Sequence, residues 1–239
     1  VNIGTLNSFE SIYLTDVVKV DGGGITISGK HYAHSVALRS DGTVFVWGNN
    51  DKRQLGSNTD KMSGGGETLT TTARAVMRGE NVDDSIRSWT PTGTATVKTN
   101  DPHFNLRGAM AIDAGDDFTL VETEGHRALR FGYLTSRDGD THDSAYHPMY
   151  IRTDGTFADY DGYGKVVQGV QSVAAGSRHG LVGVGTVAGG DTGVWSFGLN
   201  SSGQLGNGFA TKQNQNNLPD EEYMATHVLS PEDNYDPNP

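Results

Sequence analysis

The densest chemistry in this chain is a run of closely spaced donors: Asp138, Asp140 and Asp143, with His142 among them and His147 just beyond. Carboxylates so placed in a loop suit Ca2+, which takes many oxygen ligands. The EF-hand pattern is nevertheless broken, because its sixth place needs glycine and holds Asp143, and its twelfth needs glutamate and holds Met149. A solvated loop fits the run better than a metal site. A second cluster, Tyr160, Asp161 and Tyr163, sets two aromatic rings around a carboxylate and offers the adhesive, low-entropy surface of a contact loop. His34 and His179 are candidate proton carriers, yet each recurs at the same place in a repeated pattern, which fits hydrogen-bonded turn-fixing better than catalysis.

Motifs that would organise such residues into an enzyme are missing. The sequence holds no Gly-x-Ser-x-Gly, no His-Glu-x-x-His and no phosphate-cradling Gly-x-x-x-x-Gly-Lys-Ser/Thr string. Gly22-Gly23-Gly24 has no lysine and helix behind it and reads as a loop. A triad assembled from remote Ser, His and Asp stays open, but the expectation is a non-enzymatic chain without a cofactor. With 18 basic and 29 acidic residues, the net charge of −11 argues against nucleic-acid phosphates and anionic bilayers as partners. Zero cysteines remove disulfides, thiolate metal sites and thiol nucleophiles, and leave the redox compartment open.

The elements that must position these residues are short strands. Glycine, 33 of 239 residues, is about twice its usual ~7% share and has no triplet period, which implies many tight turns. Val36 and Leu38, then Val44 and Val46, alternate with polar neighbours around Asp41-Gly42, the pattern of a hairpin. Four further β-leaning strings occur, at 16–20, 73–78, 148–152 and 225–230. No comparable stretch shows a 3.6-residue period, so the expected class is all-β.

Those strands belong to a repeat. Trp47-Gly48 is followed by Gln54-Leu55-Gly56, and Phe197-Gly198 by Gln204-Leu205-Gly206, so Gly48 to Gly56 and Gly198 to Gly206 are the same eight residues apart. A worn middle copy keeps Gly115 and Phe131-Gly132; Phe118 precedes Gly132 by the same 14 residues that separate His34 from Gly48. His179 to Gly198 is 19, with the excess in a glycine-rich stretch that reads as a longer hairpin loop. Trp47, Phe131 and Phe197 are expected to fill the spaces between neighbouring sheets, with the following glycine in a backbone shape a Cβ would hinder.

An Ala-Gly-x-x-His start, a hairpin, an aromatic-Gly step and a Gly-Gln-Leu-Gly close resemble the RCC1-like (regulator of chromosome condensation) repeat family. The third unit carries nearly the whole signature, including Gly176 and His179; the first has Arg53 before Gln54 and two extra residues between Gly29 and His34. The resemblance implies an all-β propeller, or part of one, with four-stranded blades and each repeat feeding strands to adjacent blades. Residues 1–212 would hold the blades, with units near 16–56, 112–152 and 173–206 and an insertion over 57–111. That insertion either hides a fourth blade or leaves the propeller to be completed from outside the chain, the favoured reading. Residues 213–239 hold six acids, four of the seven prolines and no Lys or Arg, the composition of an extended tail.

The functional expectation is a protein- or glycan-binding structural module, part of a larger assembly or a homo-oligomer. Composition favours an extracellular, cell-surface or virion place over a nuclear one. Two alternatives stay open: family members exchange guanine nucleotide on small GTPases, and a propeller face could cover an enzyme's active site as an inhibitor.

Overall fold

The computed structural model describes residues 13–56, 69–77, 105–133, 144–153, 165–186, 192–208 and 221–230, with only the backbone of 144–147 and 221–224. Asp138, Asp140, Asp143, Tyr160, Asp161, Tyr163, the glycine run at 64–66 and the strand expected near Thr94–Thr99 lie outside the described residues.

The described chain is strand and turn throughout. Blade 1 is a meander of β1 (Val17–Ile27), β2 (Lys30–Arg39), β3 (Val44–Asn49) and β4 (Leu69–Ala75). Blade 2 is β5 (Ala109–Ala114), β6 (Phe118–Thr123), β7 (Arg127–Tyr133) and β8 (Ser144–Tyr150). After the short β9 (Arg152–Thr153) and β10 (Lys165–Val166), blade 3 follows as β11 (Val170–Ala175), β12 (His179–Val184), β13 (Gly193–Leu199) and β14 (Glu221–His227). Strand β9 joins β14 in parallel, through Ala225 and Thr153. All pairings within a blade are antiparallel, as the short connections require.

The repeat spacing is a register. His34 lies opposite Gly48, Phe118 opposite Gly132 and His179 opposite Gly198, so the 14- and 19-residue intervals span hairpins with the same cross-strand pair at their open end. The Ala-Gly start sits at the end of the innermost strand, so a repeat counted from it does run from one blade into the next.

Two pieces of the sequence reading change. The 57–111 insertion supplies β4, the outer strand of blade 1, from the string at 73–78. Within 213–239, Glu221–His227 is β14, paired with β13. The β-leaning string there outweighs the acidic composition, because an adjacent strand edge supplies the backbone partners.

The core lies between blades. Val36, Val44, Val46 and Leu55 of blade 1 pack with Ile112, Val121, Leu129 and Phe131 of blade 2. Phe118, Leu120 and Ala128 of blade 2 pack with Val170, Val182 and Phe197 of blade 3. Each fully buried side chain of this size contributes about 1.5–3 kcal/mol, which a single blade with water on both faces would forgo. Both interfaces repeat the same backbone bonds. Leu106 and Ala109 donate to the carbonyls of Val76 and Gly42 (2.8 and 3.1 Å), and Val167 and Val170 to those of Ile151 and His126 (2.9 Å each). The expectation for the aromatics holds at Phe131 and Phe197 but not at Trp47, which is half-buried and belongs to neither cluster. Its face of blade 1 meets no other described blade.

Candidate binding surface

Strands β1, β5 and β11 pack side by side as the innermost strand of each blade. They leave the fold at one end, the mouth, where the β1–β2, β5–β6 and β11–β12 turns gather with Tyr133 at the end of β7 and with residues 50–56 after β3 and 200–208 after β13. Glycine makes this close approach possible. A Cβ on Gly23 would strike the Gly115 carbonyl, and one on Gly115 would lie 2.7 Å from the carbonyl of Gly176. At the paired position across each hairpin, Gly48, Gly132 and Gly198 hold φ of 109°, 98° and 100°, and a Cβ would meet the carbonyl of Ala33, Asp117 or Arg178.

In blades 2 and 3 the mouth turns are short: Gly115 donates back to the Phe118 carbonyl, and Gly176 to that of His179. Blade 1 differs. From the Gly23–His34 pair its hairpin continues through Gly24–Ala33, Ile25–Tyr32 and Thr26–His31 to Ile27–Lys30. It closes at Ser28 and Gly29, both at positive φ as a tight two-residue hairpin turn requires. Gly22-Gly23-Gly24 is therefore strand, not loop. The counterpart of Gly115 and Gly176 is Gly23 rather than Gly29, and this finger accounts for the extra residues before His34. Ile27 stands exposed near its tip, and Lys30 lies 4.9 Å over the Tyr32 ring while donating to Asp51 (2.6 Å).

Charged groups crowd the mouth beside the finger. Lys52 sits 4.6 Å over the Tyr133 ring, and Ser177 donates to the Asp116 carboxylate. Burial raises the pKa of Asp117, partly offset by Lys52 and Arg178. Along the inner strands Asp21 accepts the Ala114 N–H (2.9 Å) and Asp113 the Ala175 N–H (2.7 Å), while Lys19 donates to the Ile112 carbonyl. Burial pushes both carboxyls up. At Asp113 it prevails, whereas at Asp21 the bonds from Asp113, Ala114 and Gly22 turn the net shift downward.

The signature residues form scaffold around this mouth. Gln54 accepts the Lys52 N–H (2.8 Å) and Asn50 the Leu55 N–H (3.1 Å); Gln204 and Asn200 make the same bonds to Ser202 and Leu205, at 2.8 and 3.1 Å. Arg53, in the signature's glycine place, takes φ of 65°, close to the 72° of Gly203. His34 is buried and bonded through Nε2 to the Thr119 hydroxyl (2.9 Å) across the blade 1–blade 2 interface. Burial pushes its pKa down to about 4, and burial lowers that of His179 as well. Among the described residues no His, Asp and Glu side chains gather as a metal-binding group.

Four-stranded sheets stacked face to face around an axis define the class: these are β-propeller blades. Within blade 1, residues 32–54 match the regulator of chromosome condensation (RCC1) repeat. A comparison with curated protein sequences finds no match. Among solved structures the chain is similar to human WBSCR16, at 17% identity and a TM-score of 0.51, over 90% of this chain and 40% of that one. It is also similar to yeast RCC1 (Prp20) bound to Kap60, at 17% identity and 0.52, over 90% and 38%. A third is Prp20p of Saccharomyces cerevisiae, in a structure described with its binding to Gsp1p and histones, at 17% and 0.52, over 90% and 40%. The chain thus spans 38–40% of the length of these structures.

Proposed function

We propose that this chain is a non-enzymatic protein-binding module whose partner docks at the mouth, on the β1–β2 finger and the charged loops beside it. The observation that carries this reading is the asymmetry of the mouth. The three described blades share one register, and among them only blade 1 extends its hairpin past it, presenting Ile27, Lys30 and His31 on a paired strand ribbon. Neither packing nor closure requires that extension, and binding residues are commonly carried on such excursions from a rigid scaffold. The acidic, cysteine-free composition suits a place in an extracellular, cell-surface or virion assembly.

The test replaces Gly24–Ala33 with Asp-Asp, the turn blade 2 uses, and compares cross-linked partners of both forms in the native source. A partner held by the full finger and lost with it, at unchanged melting temperature, supports the reading. A partner retained by the trimmed form contradicts it. Similarity to the fold of Prp20p, a structure described with Gsp1p binding, motivates a second reading as a small-GTPase regulator. Faster release of labelled guanine nucleotide from a GTPase panel would favour that reading, and a flat result would remove it.

A further inference from the structure

One position in the mouth turns carries three different chemistries. The carbonyls that Gly48, Gly132 and Gly198 approach belong to Ala33, Asp117 and Arg178, so these three residues occupy the same place in their blades. A methyl, a carboxylate and a guanidinium all fit the register, and blade geometry therefore does not call for the acid. Asp117 is nevertheless only 7% exposed, and among the described residues its Oδ1 is buried with no hydrogen-bond partner. A buried polar atom left so costs stability, and where one persists in a folded protein it asks for a role outside the fold.

The turn that carries Asp117 is held in place by its neighbours. Asp116 donates its N–H to the Ser177 carbonyl (2.9 Å) and accepts the Ser177 hydroxyl on its carboxylate, while Tyr133 donates its N–H to the Asp117 carbonyl (2.8 Å). Blade 2 has a described blade on each side, and the charges that act on the Asp117 carboxyl all belong to the mouth: Lys52 after β3, Asp116 on the same turn, and Arg178 on the β11–β12 turn. The Lys52 ammonium sits over the Tyr133 ring (4.6 Å). With Arg178 it draws the Asp117 pKa down, yet burial outweighs both and the net shift is upward. The chain's own cations thus leave the carboxylate under-compensated. Two adjacent carboxylates on a chain of net charge −11 select a cation there and disfavour an anion.

We propose that Asp117, with Asp116 beside it, is the seat for a single lysine or arginine side chain of the partner that docks at the mouth, which supplies the unpaired carboxylate with its hydrogen bonds. The assignment rests on the reading of the mouth as the docking surface and adds the chemistry of what docks. A charge-assisted bond made in so dry a place is stronger than one at an exposed rim, and removing its acid weakens binding more.

The test titrates N-acetyl-arginine amide and N-acetyl-lysine amide into the isotope-labelled full chain at pH 7, followed by nuclear magnetic resonance, with uncharged N-acetyl-citrulline amide as control. The cationic probes are expected to move the backbone signals of Asp116, Asp117 and Ser177 and the Tyr133 ring signals, and the citrulline amide to leave them in place. Asp117→Asn should weaken probe affinity by about tenfold or more. Asp16→Asn removes the same charge from an exposed site at the opposite end of β1 and should change affinity by less than about twofold. Asp117→Asn should also raise the melting temperature at pH 7, a gain that fades as pH falls and the wild-type acid takes up its proton. Asp117→Ala, after the pattern of Ala33 in blade 1, replaces it should the amide fail to fold. Trimming the finger should leave probe binding intact, so a native partner lost on trimming speaks to the finger, and a probe lost with Asp117 speaks to the anchor. Equal binding of citrulline amide, unchanged affinity in a folded Asp117 variant, or an equal loss in Asp16→Asn would overturn the proposal. So would a lower melting temperature in both Asp117 variants, the mark of an acid already paired within the fold.

Discussion

Acidification should loosen the contact between blades 1 and 2 through one side chain, His34. Its imidazole is neutral in the folded chain because burial holds its pKa near about 4, against 6.5 for an unburied histidine. Between those two values the unfolded chain binds a proton that the folded chain does not, so stability rises with pH there and is lost as pH falls from 6.5 toward 4. A shift of that size, at ~1.4 kcal/mol per unit, corresponds to about 3 kcal/mol by the bottom of the window. Asp113, Asp117 and Glu122, whose pKa values burial raises, act in the opposite sense over acidic pH and would mask the effect in the wild type alone. The comparison is therefore with His34→Gln, which keeps a donor for Thr119 and does not titrate. Urea unfolding of both at steps from pH 7.5 down to pH 4 should show the wild-type advantage shrinking by about 3 kcal/mol. A constant gap across the series would refute the burial of a neutral His34.

Phe197→Ala should cost about 3–5 kcal/mol, because the ring is fully buried between blades 2 and 3. Trp47→Ala in dilute protein should cost well under half of that, a contrast that paired unfolding curves would read and that equal costs would contradict. Gly132→Ala places a Cβ on the Asp117 carbonyl at φ of 98°, so a loss of about 2–3 kcal/mol is expected in the same assay. Arg53→Gly should raise the melting temperature, by about 1 kcal/mol of relieved left-handed strain; a lower melting temperature would show that the Arg53 side chain matters more than its backbone.

The repeat was legible because its signature encodes local geometry. An aromatic followed by glycine, 14 residues after a fixed anchor, is a cross-strand pair, and pairing within a hairpin depends on neighbours close in sequence. What depends on distant partners was not legible. Trp47 shares its type and place with Phe197, and only the presence of a facing blade separates half-buried from buried. The finger was hidden by Gly22-Gly23-Gly24, poor strand formers alone, which become strand because β2 supplies a partner at every rung. A signal was present in Ser28-Gly29, a two-residue turn between β-leaning strings. Strand β14 was hidden by the acids around it, and the Asp21 and Asp113 caps by the 93 and 62 positions that separate each carboxylate from the N–H it accepts, which only blade stacking brings together.

Face-to-face stacking of consecutive blades is the claim on which the rest depends, and nuclear Overhauser spectra of methyl- and ring-labelled protein address it directly. Contacts are predicted from the Phe131 ring to Leu55 and Gly56 of blade 1, and from the Phe197 ring to Leu120 and Ala128 of blade 2. Folded protein in which those rings report contacts only within their own sheets would contradict it.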